Sequence, residues 1–178
     1  MKLFNFAWQW LGGMVKHRVL HADDPPHRIA LGVALGFALA WTPAIGLQTV
    51  LLILLGLLLR ANIVAGMPAL WLSNPFTLVP VYAPSYYLGK CMLGVEAQGS
   101  FVRDVSGAMR MTDGFIAKVQ AWWRVTAPYA GPLWLGSLVV AVLIGAVAYV
   151  ATYWAVSAYR TKHPHIELPL SGRREGRA

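Results

Sequence analysis

The sequence predicts an all-α membrane protein. Its parts are two proline-broken hydrophobic segments (candidates for re-entrant helices), amphipathic interfacial helices and one plain C-terminal transmembrane helix. Composition is the first observation behind this. Of 178 residues, 57% are hydrophobic and 12% charged, where an ordinary soluble domain carries about 25% charged residues. The distribution of charge is the second. From Ile29 to Gly89, a run of 61 residues, Arg60 is the only charged side chain. At about 1.5 Å per residue such a run, as helix, could cross a hydrocarbon core of about 30 Å up to about three times. The third is Pro132 to Tyr159, 28 residues without a charge. These exclude a soluble globular domain and a disordered chain. Cys91 is the single cysteine, which excludes an intramolecular disulfide scaffold. The net charge of +8 comes from basic residues that flank apolar segments. That pattern points to anionic lipid surface as partner, and no basic groove points to nucleic acid.

Residues 1–28 read as an amphipathic N-terminal interfacial segment. Phe4, Trp8, Leu11 and Val15 recur on one helical face, with Asn5, Gln9, Gly12, Gly13 and Lys16 on another. Such a helix lies in the membrane plane or packs on the core. Most nearby basic residues follow this stretch and no A-x-A site closes it, so it does not read as a cleavable signal peptide. Asp24 is placed to cap the next helix, with Pro25 and Pro26 tolerated in its first turn.

The membrane domain is expected over residues 29–159. Its first segment, 29–59, would be about 46 Å long as one straight helix, against about 30 Å of hydrocarbon. Pro43 and Gly46, within Trp41-Thr42-Pro43-Ala44-Ile45-Gly46, supply a break. Each half, about 13 residues, is then too short to span. The second segment, 61–89, breaks at Ser73-Asn74-Pro75-Phe76-Thr77, and Pro68, Pro80 and Pro84 make it less regular still. The two breaks lie about 30 residues apart, each behind a tryptophan, Trp41 and Trp71. They read as a weak internal repeat. Residues 90–131 are mixed and punctuated by Gly94, Gly99, Gly107 and Gly114. There Phe115, Ile116, Val119, Trp122 and Trp123 form one apolar helical face beside Lys118 and Arg124, a second interfacial segment. Residues 132–159 form the conventional transmembrane helix, with Ser137, Ala141 and Gly145 as a packing stripe. Residues 160–178, with five basic and two acidic side chains, form a basic flexible tail.

Basic loops set orientation. They put the tail in the cytoplasm, and Lys2, Lys16, Arg18 and Arg28 put the N-terminal stretch there too. One clear span between two cytoplasmic ends demands an odd number of net crossings within 29–89. Two re-entrant hairpins would give none, so the sequence alone leaves topology unresolved.

The intramembrane polar residues are Thr42, Gln48, Thr49, Asn62, Ser73, Asn74 and Thr77. A buried unpaired amide costs about 4–8 kcal/mol by transfer to an alkane-like medium. These groups therefore cap backbone freed by Pro43, Gly46 and Pro75, or they meet a substrate. Paired, proline-interrupted apolar segments are a sequence sign of a transport site, and helix N-termini at the breaks would favour an anion such as a lipid phosphate. Gln48, Thr49, Arg60, Asn62, Asn74 and Thr77 are the candidate substrate-binding residues. Arg60 either ends the Leu51–Leu59 helix and snorkels to the headgroups, or holds a phosphate through its planar fork. Gly32, Gly36 and Ala40 suggest close helix contact within one chain or in a homo-oligomer. Neither His17 with His21 nor His163 with His165 has a completing ligand, so no metal is expected. No nucleophile motif, phosphate loop or paired intramembrane carboxylates appear, so neither a cofactor nor enzymatic catalysis is expected.

Pro26, Arg28-Ile29-Ala30-Leu31-Gly32, Ala34, Gly36, Pro43 and Gly46-Leu47-Gln48-Thr49 form one motif set. Arg60, Asn62, Trp71, Ser73-Asn74-Pro75, Thr77, Pro80, Tyr82 and Gly89 continue it. Together they resemble the bacterial membrane family called domain of unknown function 2062, over roughly residues 15–160. Ala40 stands where a glycine is expected, and keeps the side chain small. The resemblance implies a multi-pass protein of the bacterial inner membrane. Some relatives look fused to glycosyltransferase domains acting on polyprenyl-phosphate lipids, which hints at lipid-linked substrates. The leading expectation is a small lipid or lipid-phosphate transporter or scramblase working at the broken helices. The alternative is a non-catalytic membrane scaffold or regulator anchoring a partner enzyme.

Overall fold

A computed structural model of the chain describes residues 24–74, 77–96, 100–111 and 114–162. Outside these lie the amphipathic segment before Asp24, with His17 and His21, and Pro75 of the second break. Gly99, Asp113, His163, His165 and the rest of the tail lie outside them as well. All regular elements among the described residues are helices, and none is a strand.

Helix α1 runs Pro26–Ala40. Pro26 sits in its first turn, where a missing N–H goes unmissed. The expected Asp24 cap is not there: Pro25 occupies the N-cap position and no side chain caps it. The Asp24 carboxylate instead meets Arg28 at 3.2 Å and accepts from Asn62 Nδ2 at 2.9 Å. The pull of the guanidinium and a side-chain amide outweighs a cap on a helix that already opens with proline.

The first break follows at Trp41–Leu47. Gly46 takes φ 89° there, a backbone region in which a Cβ would be strained. Helix α2, Gln48–Leu58, ends in a Schellman motif. Ala61 N–H donates to the Gly56 carbonyl at 2.8 Å, and Arg60 N–H to the Leu57 carbonyl at 3.3 Å. Arg60 therefore occupies the left-handed position, φ 55°, normally given to glycine.

Helix α3, Ile63–Leu70, is capped by Asn62, whose side-chain oxygen accepts from Ala65 N–H at 2.9 Å. The second break separates it from α4, Leu78–Leu93. The irregularity expected from Pro80 and Pro84 does not appear, and α4 is one helix of 16 residues. Pro80 falls in the first turn, where it is tolerated. The helix also runs past Gly89, the expected segment boundary, and ends at Gly94 in the left-handed conformation. Helix α5, Phe101–Met111, was hidden in the mixed stretch. Helix α6, Phe115–Thr126, is the expected amphipathic one. A 3-10 turn, Ala127–Tyr129, leads into α7, Ala130–Lys162, with 33 residues. By length and composition α7 is long and apolar enough to cross a membrane.

Backbone contacts at glycines fix the packing. A Cβ at Gly32 would sit 1.9 Å from the Asn62 carbonyl oxygen, and one at Gly36 would sit 2.2 Å from that of Gly66. Helices α1 and α3 are thus parallel and in backbone contact, with thirty residues between partners in both pairs. The repeat read from the two breaks is the register of this contact. Along α7, a Cβ at Gly145 would lie 3.3 Å from the Ala38 side chain, Val156 packs with Ile29, and Arg160 bonds the Asp24 carbonyl at 2.8 Å. Helix α1 therefore runs antiparallel along the C-terminal half of α7. A Cβ at Gly136 or Gly89 would meet the Ser85 or Pro132 carbonyl at 1.8 Å. So α4 runs antiparallel along the N-terminal half. Helices α1 and α4 stack end to end on α7, and both breaks fall at their junction. The stripe of Ser137, Ala141 and Gly145 is buried, as its spacing predicts. The small-residue faces of α1, α4 and α7 are all occupied within one chain. Above the junction the aromatic core joins Tyr82, Tyr86, Phe101, Trp122, Tyr129 and Leu133.

Candidate functional site

A helix that stops in an apolar setting strands its last carbonyls. At the first break the carbonyls of Ala38, Leu39, Ala40, Thr42, Pro43 and Ile45 each find a side-chain donor, from three different helices and the turn itself. Thr42 Oγ1 donates to Ala38 O at 3.0 Å. Gln48 Nε2, at the start of α2, reaches Leu39 O and Thr42 O, both at 3.0 Å, and Tyr82 Oη at 3.2 Å. The Tyr82 hydroxyl, on α4, lies 3.0 Å from Ala40 O and 2.9 Å from Thr42 O. From α6, Trp122 Nε1 donates to Pro43 O and Trp123 Nε1 to Ile45 O, each at 3.2 Å. Gln48, Tyr82 and Trp122 are buried. Carbonyl neighbours demand the NH2 end of the Gln48 amide, which turns its Oε1 the other way. There Oε1 accepts from Ser73 Oγ of the second break at 2.9 Å. One glutamine therefore closes the first break and ties it to the second.

The second break is held locally. Asn74 Oδ1 accepts from Thr77 N–H at 3.2 Å, Thr77 Oγ1 accepts from Asn74 N–H at 3.0 Å, and Asn74 Nδ2 donates to Trp71 O at 3.2 Å. Thr77 Oγ1 also donates to Leu72 O. Ser73 is the residue of this break that hydrogen-bonds Gln48.

The expected binding residues fall into two groups. Gln48, Asn74 and Thr77 gather at the junction. Thr49 is exposed on the outer side of α2. Arg60 and Asn62 lie at the far end of α2, an 11-residue helix of about 16 Å. Arg60 is exposed. Asn62 is engaged on both sides, capping α3 and donating to Asp24. With Arg28 and Arg160, Asp24 knots the ends of α1, α3 and α7 together. Tyr82 and Trp122 carry as much of the junction as Gln48 does, and the sequence reading placed neither at a site. The available signal was that a buried Tyr hydroxyl or Trp N–H needs a partner.

Two clefts border the first break, one on each side of α6. A small one of about 30 Å³ is lined by Ile45, Ser73, Lys118 and Trp122 among others. Among the described residues Lys118 has no ion-pair partner. A larger one of about 230 Å³ is lined by Pro43, Trp123, Thr126, Ala127, Ala130, Leu133 and Trp134. No group of three or more metal-ligating side chains occurs among the described residues.

The sequence profile of a family described as an uncharacterized protein conserved in bacteria (DUF2062) matches residues 10–165. The chain belongs to this family. Both breaks, the junction and the Asp24 knot lie inside the DUF2062 segment. No curated protein and no solved structure matches the chain.

Proposed function

We propose that this DUF2062 protein is a multi-pass protein of the bacterial inner membrane that moves a lipid or lipid-phosphate headgroup past its paired broken helices. The observation that carries the reading is the Gln48–Ser73 hydrogen bond. It joins two interrupted helices at one part-buried polar point, beside a cleft lined in part by Lys118, which has no ion-pair partner among the described residues. A plain anchor has no need of two broken helices and the buried amide that closes them. Membrane insertion is supported by the outward surface. Leu138, Val142, Val147 and Trp154 on α7, and Val50, Leu54, Leu57 and Leu58 on α2, are exposed apolar side chains. An apolar surface of that extent is not left facing water.

In this reading α1 and α2 form a hairpin that enters and leaves on one side. The Asn62 N–H bond to the Arg28 carbonyl, 2.9 Å, supports it by bringing the end of α2 back to the start of α1. Helices α3 and α4 together make one interrupted crossing, and α7 makes the return. Two net crossings put Arg28, Arg60, Arg160 and Lys162 on the same, cytoplasmic face, as basic flanks require. This removes the parity conflict in the sequence. The protein performs no catalysis and takes no cofactor. Its partners are bilayer lipids, anionic or polyprenyl-phosphate.

The test is flipping by purified protein in vesicles that carry head-labelled phospholipid or polyprenyl phosphate. An impermeant quencher should reach inner-leaflet probe in protein vesicles and not in empty ones. Equal protection in both would end the transport reading. One observation favours the scaffold alternative: Gln48 and Tyr82 have found partners within the chain. A scaffold of this kind would leave flipping absent and would co-purify with a membrane enzyme.

A further inference from the structure

The larger cleft, about 230 Å³, lies where the tip of the first break meets the start of α7. Its walls are Pro43, Trp123, Ala127, Ala130, Leu133 and Trp134, with Thr126 behind. The polar atoms around it are already used. Thr126 Oγ1 donates to Trp122 O at 2.7 Å, and Trp123 Nε1 to Ile45 O at 3.2 Å. Water needs two to four polar partners to settle in a cavity, and apolar cavities of about 150 Å³ stay dry and accept small hydrocarbons. The cleft therefore offers room for hydrocarbon and little for water. It opens sideways, because Trp123, Ala127 and Trp134 are exposed while Leu133 at its floor is buried.

Its depth in a bilayer follows from α7. Trp134 and Trp154 are both exposed, and twenty residues of helix between them span about 30 Å, the thickness of the hydrocarbon core. Tryptophan prefers that boundary. The mouth of the cleft thus faces the zone where lipid chains join their headgroups. Arg124 is exposed. It lies three residues before Ala127 on one helical stretch, so the two are surface neighbours. An exposed arginine at that depth suits a phosphodiester, which its fork can hold bidentately.

We propose that this cleft is a lateral lipid site: it takes one acyl chain of an anionic phospholipid, with Arg124 holding the phosphate at its rim. The site rests on the membrane reading above, but not on translocation.

The test reconstitutes the full chain in phosphatidylcholine vesicles with a trace of phosphatidylglycerol carrying a diazirine on one acyl chain. After irradiation, adducts are mapped by mass spectrometry. Adducts should concentrate on residues 123–134, above the level on the outward α7 residues Val142 and Val147, which report ordinary lipid contact. Ala130→Phe and Ala127→Trp fill the cleft. Each should lower the 123–134 adducts several-fold and leave those at 142 and 147 unchanged. Ala127 is exposed, so its variant carries the test should Ala130→Phe fail to fold. Arg124→Gln should abolish the preference for phosphatidylglycerol over a phosphatidylcholine probe with the same chain. Adducts that are no denser at 123–134 than at 142 and 147, or that survive filling, overturn the chain site. A headgroup preference that survives Arg124→Gln overturns the role of Arg124. Flipping is measured on the same vesicles. Its absence with adducts intact removes translocation and leaves the site, and the reverse result removes the site and leaves translocation.

Discussion

Gln48 joins more parts of the molecule than any other residue at the junction, so its loss is informative. Gln48→Ala removes one partner each from the Leu39 and Thr42 carbonyls and the Ser73 hydroxyl, which keep the Thr42 N–H, the Tyr82 hydroxyl and the Leu70 carbonyl. Losing a hydrogen bond whose partners stay otherwise satisfied costs about 0.5–1.5 kcal/mol each, so a fall in melting temperature in detergent is expected. Ser73→Ala removes one of the same bonds, and its effect should be non-additive with Gln48→Ala, since contacting residues couple by about 0.5–3 kcal/mol. Asn74→Ala loses a local cap worth about 1 kcal/mol. Its bonds to Trp71 and Thr77 are local, so it should add to Gln48→Ala within about 0.5 kcal/mol. Coupling between Gln48 and Asn74 would show that the second break is not held locally. Arg60 poses a different question, because an arginine at φ 55° sits where glycine is preferred. Left-handed backbone costs a residue with a Cβ about 1–2 kcal/mol. Arg60→Gly should therefore raise stability by about 1 kcal/mol, a gain that Arg60→Lys does not share. If flipping falls in both variants, the guanidinium has a phosphate to hold. If flipping persists in both, Arg60 is a helix-end anchor.

At the scale of elements, the helix contacts are made of backbone. A Cβ at Gly32 or Gly136 would come within 2 Å of a carbonyl oxygen of the neighbouring helix, at 1.9 and 1.8 Å. A backbone cannot swing aside as a side chain can. Gly32→Ala and Gly136→Ala should each cost at least the about 3 kcal/mol at the upper end of overpacking, read as loss of folded protein on size exclusion. Gly107 in α5 is the control: a Cβ there meets nothing within 4 Å. Gly107→Ala should stabilise α5 by about 0.5–1 kcal/mol through helix propensity. The same contacts explain what the sequence could reveal. Both breaks were legible because proline interrupts a helix whatever surrounds it, and the thirty-residue spacing was legible because it is a register. Helix α5 was not legible. Its segment, Phe101 to Met111, mixes Arg103, Asp104, Gly107 and Arg110 with apolar residues. It is held as a helix by Phe101 and Val105, buried against Tyr86 and Tyr129, and by the Tyr129 hydroxyl donating to Asp104. Those partners lie far along the chain. For the same reason Gln48 could be singled out as an intramembrane amide, but not Tyr82 and Trp122 as its companions.

At the scale of the whole molecule, the stacking of α1 and α4 on α7 has a consequence for sidedness. The sequence could not decide topology, because two broken segments allow two hairpins, two crossings or one of each. In the proposed membrane reading, the register along α7 favours one hairpin and one crossing. Leu59, at the end of α2, returns to the level of Arg28, as Asn62 does through the Arg28 carbonyl. Thr161 belongs to the same end, because its neighbour Arg160 bonds the Asp24 carbonyl. Glu96, beyond α4, belongs to the opposite end, because α4 climbs from the junction toward Pro132 at the start of α7. All three positions are exposed. In a Cys91→Ser background, single cysteines at Leu59, Glu96 and Thr161 should therefore split two to one. An impermeant maleimide applied to intact cells with a permeabilised outer membrane should label position 96 at once. It should reach positions 59 and 161 only after the inner membrane is opened. Labelling at 96 and 161 together would mean that α7 does not return across the bilayer. Labelling at 59 with 161 protected would turn the α1–α2 hairpin into a crossing, and with it the junction into a point that no longer sits between two interrupted helices on one side of α7.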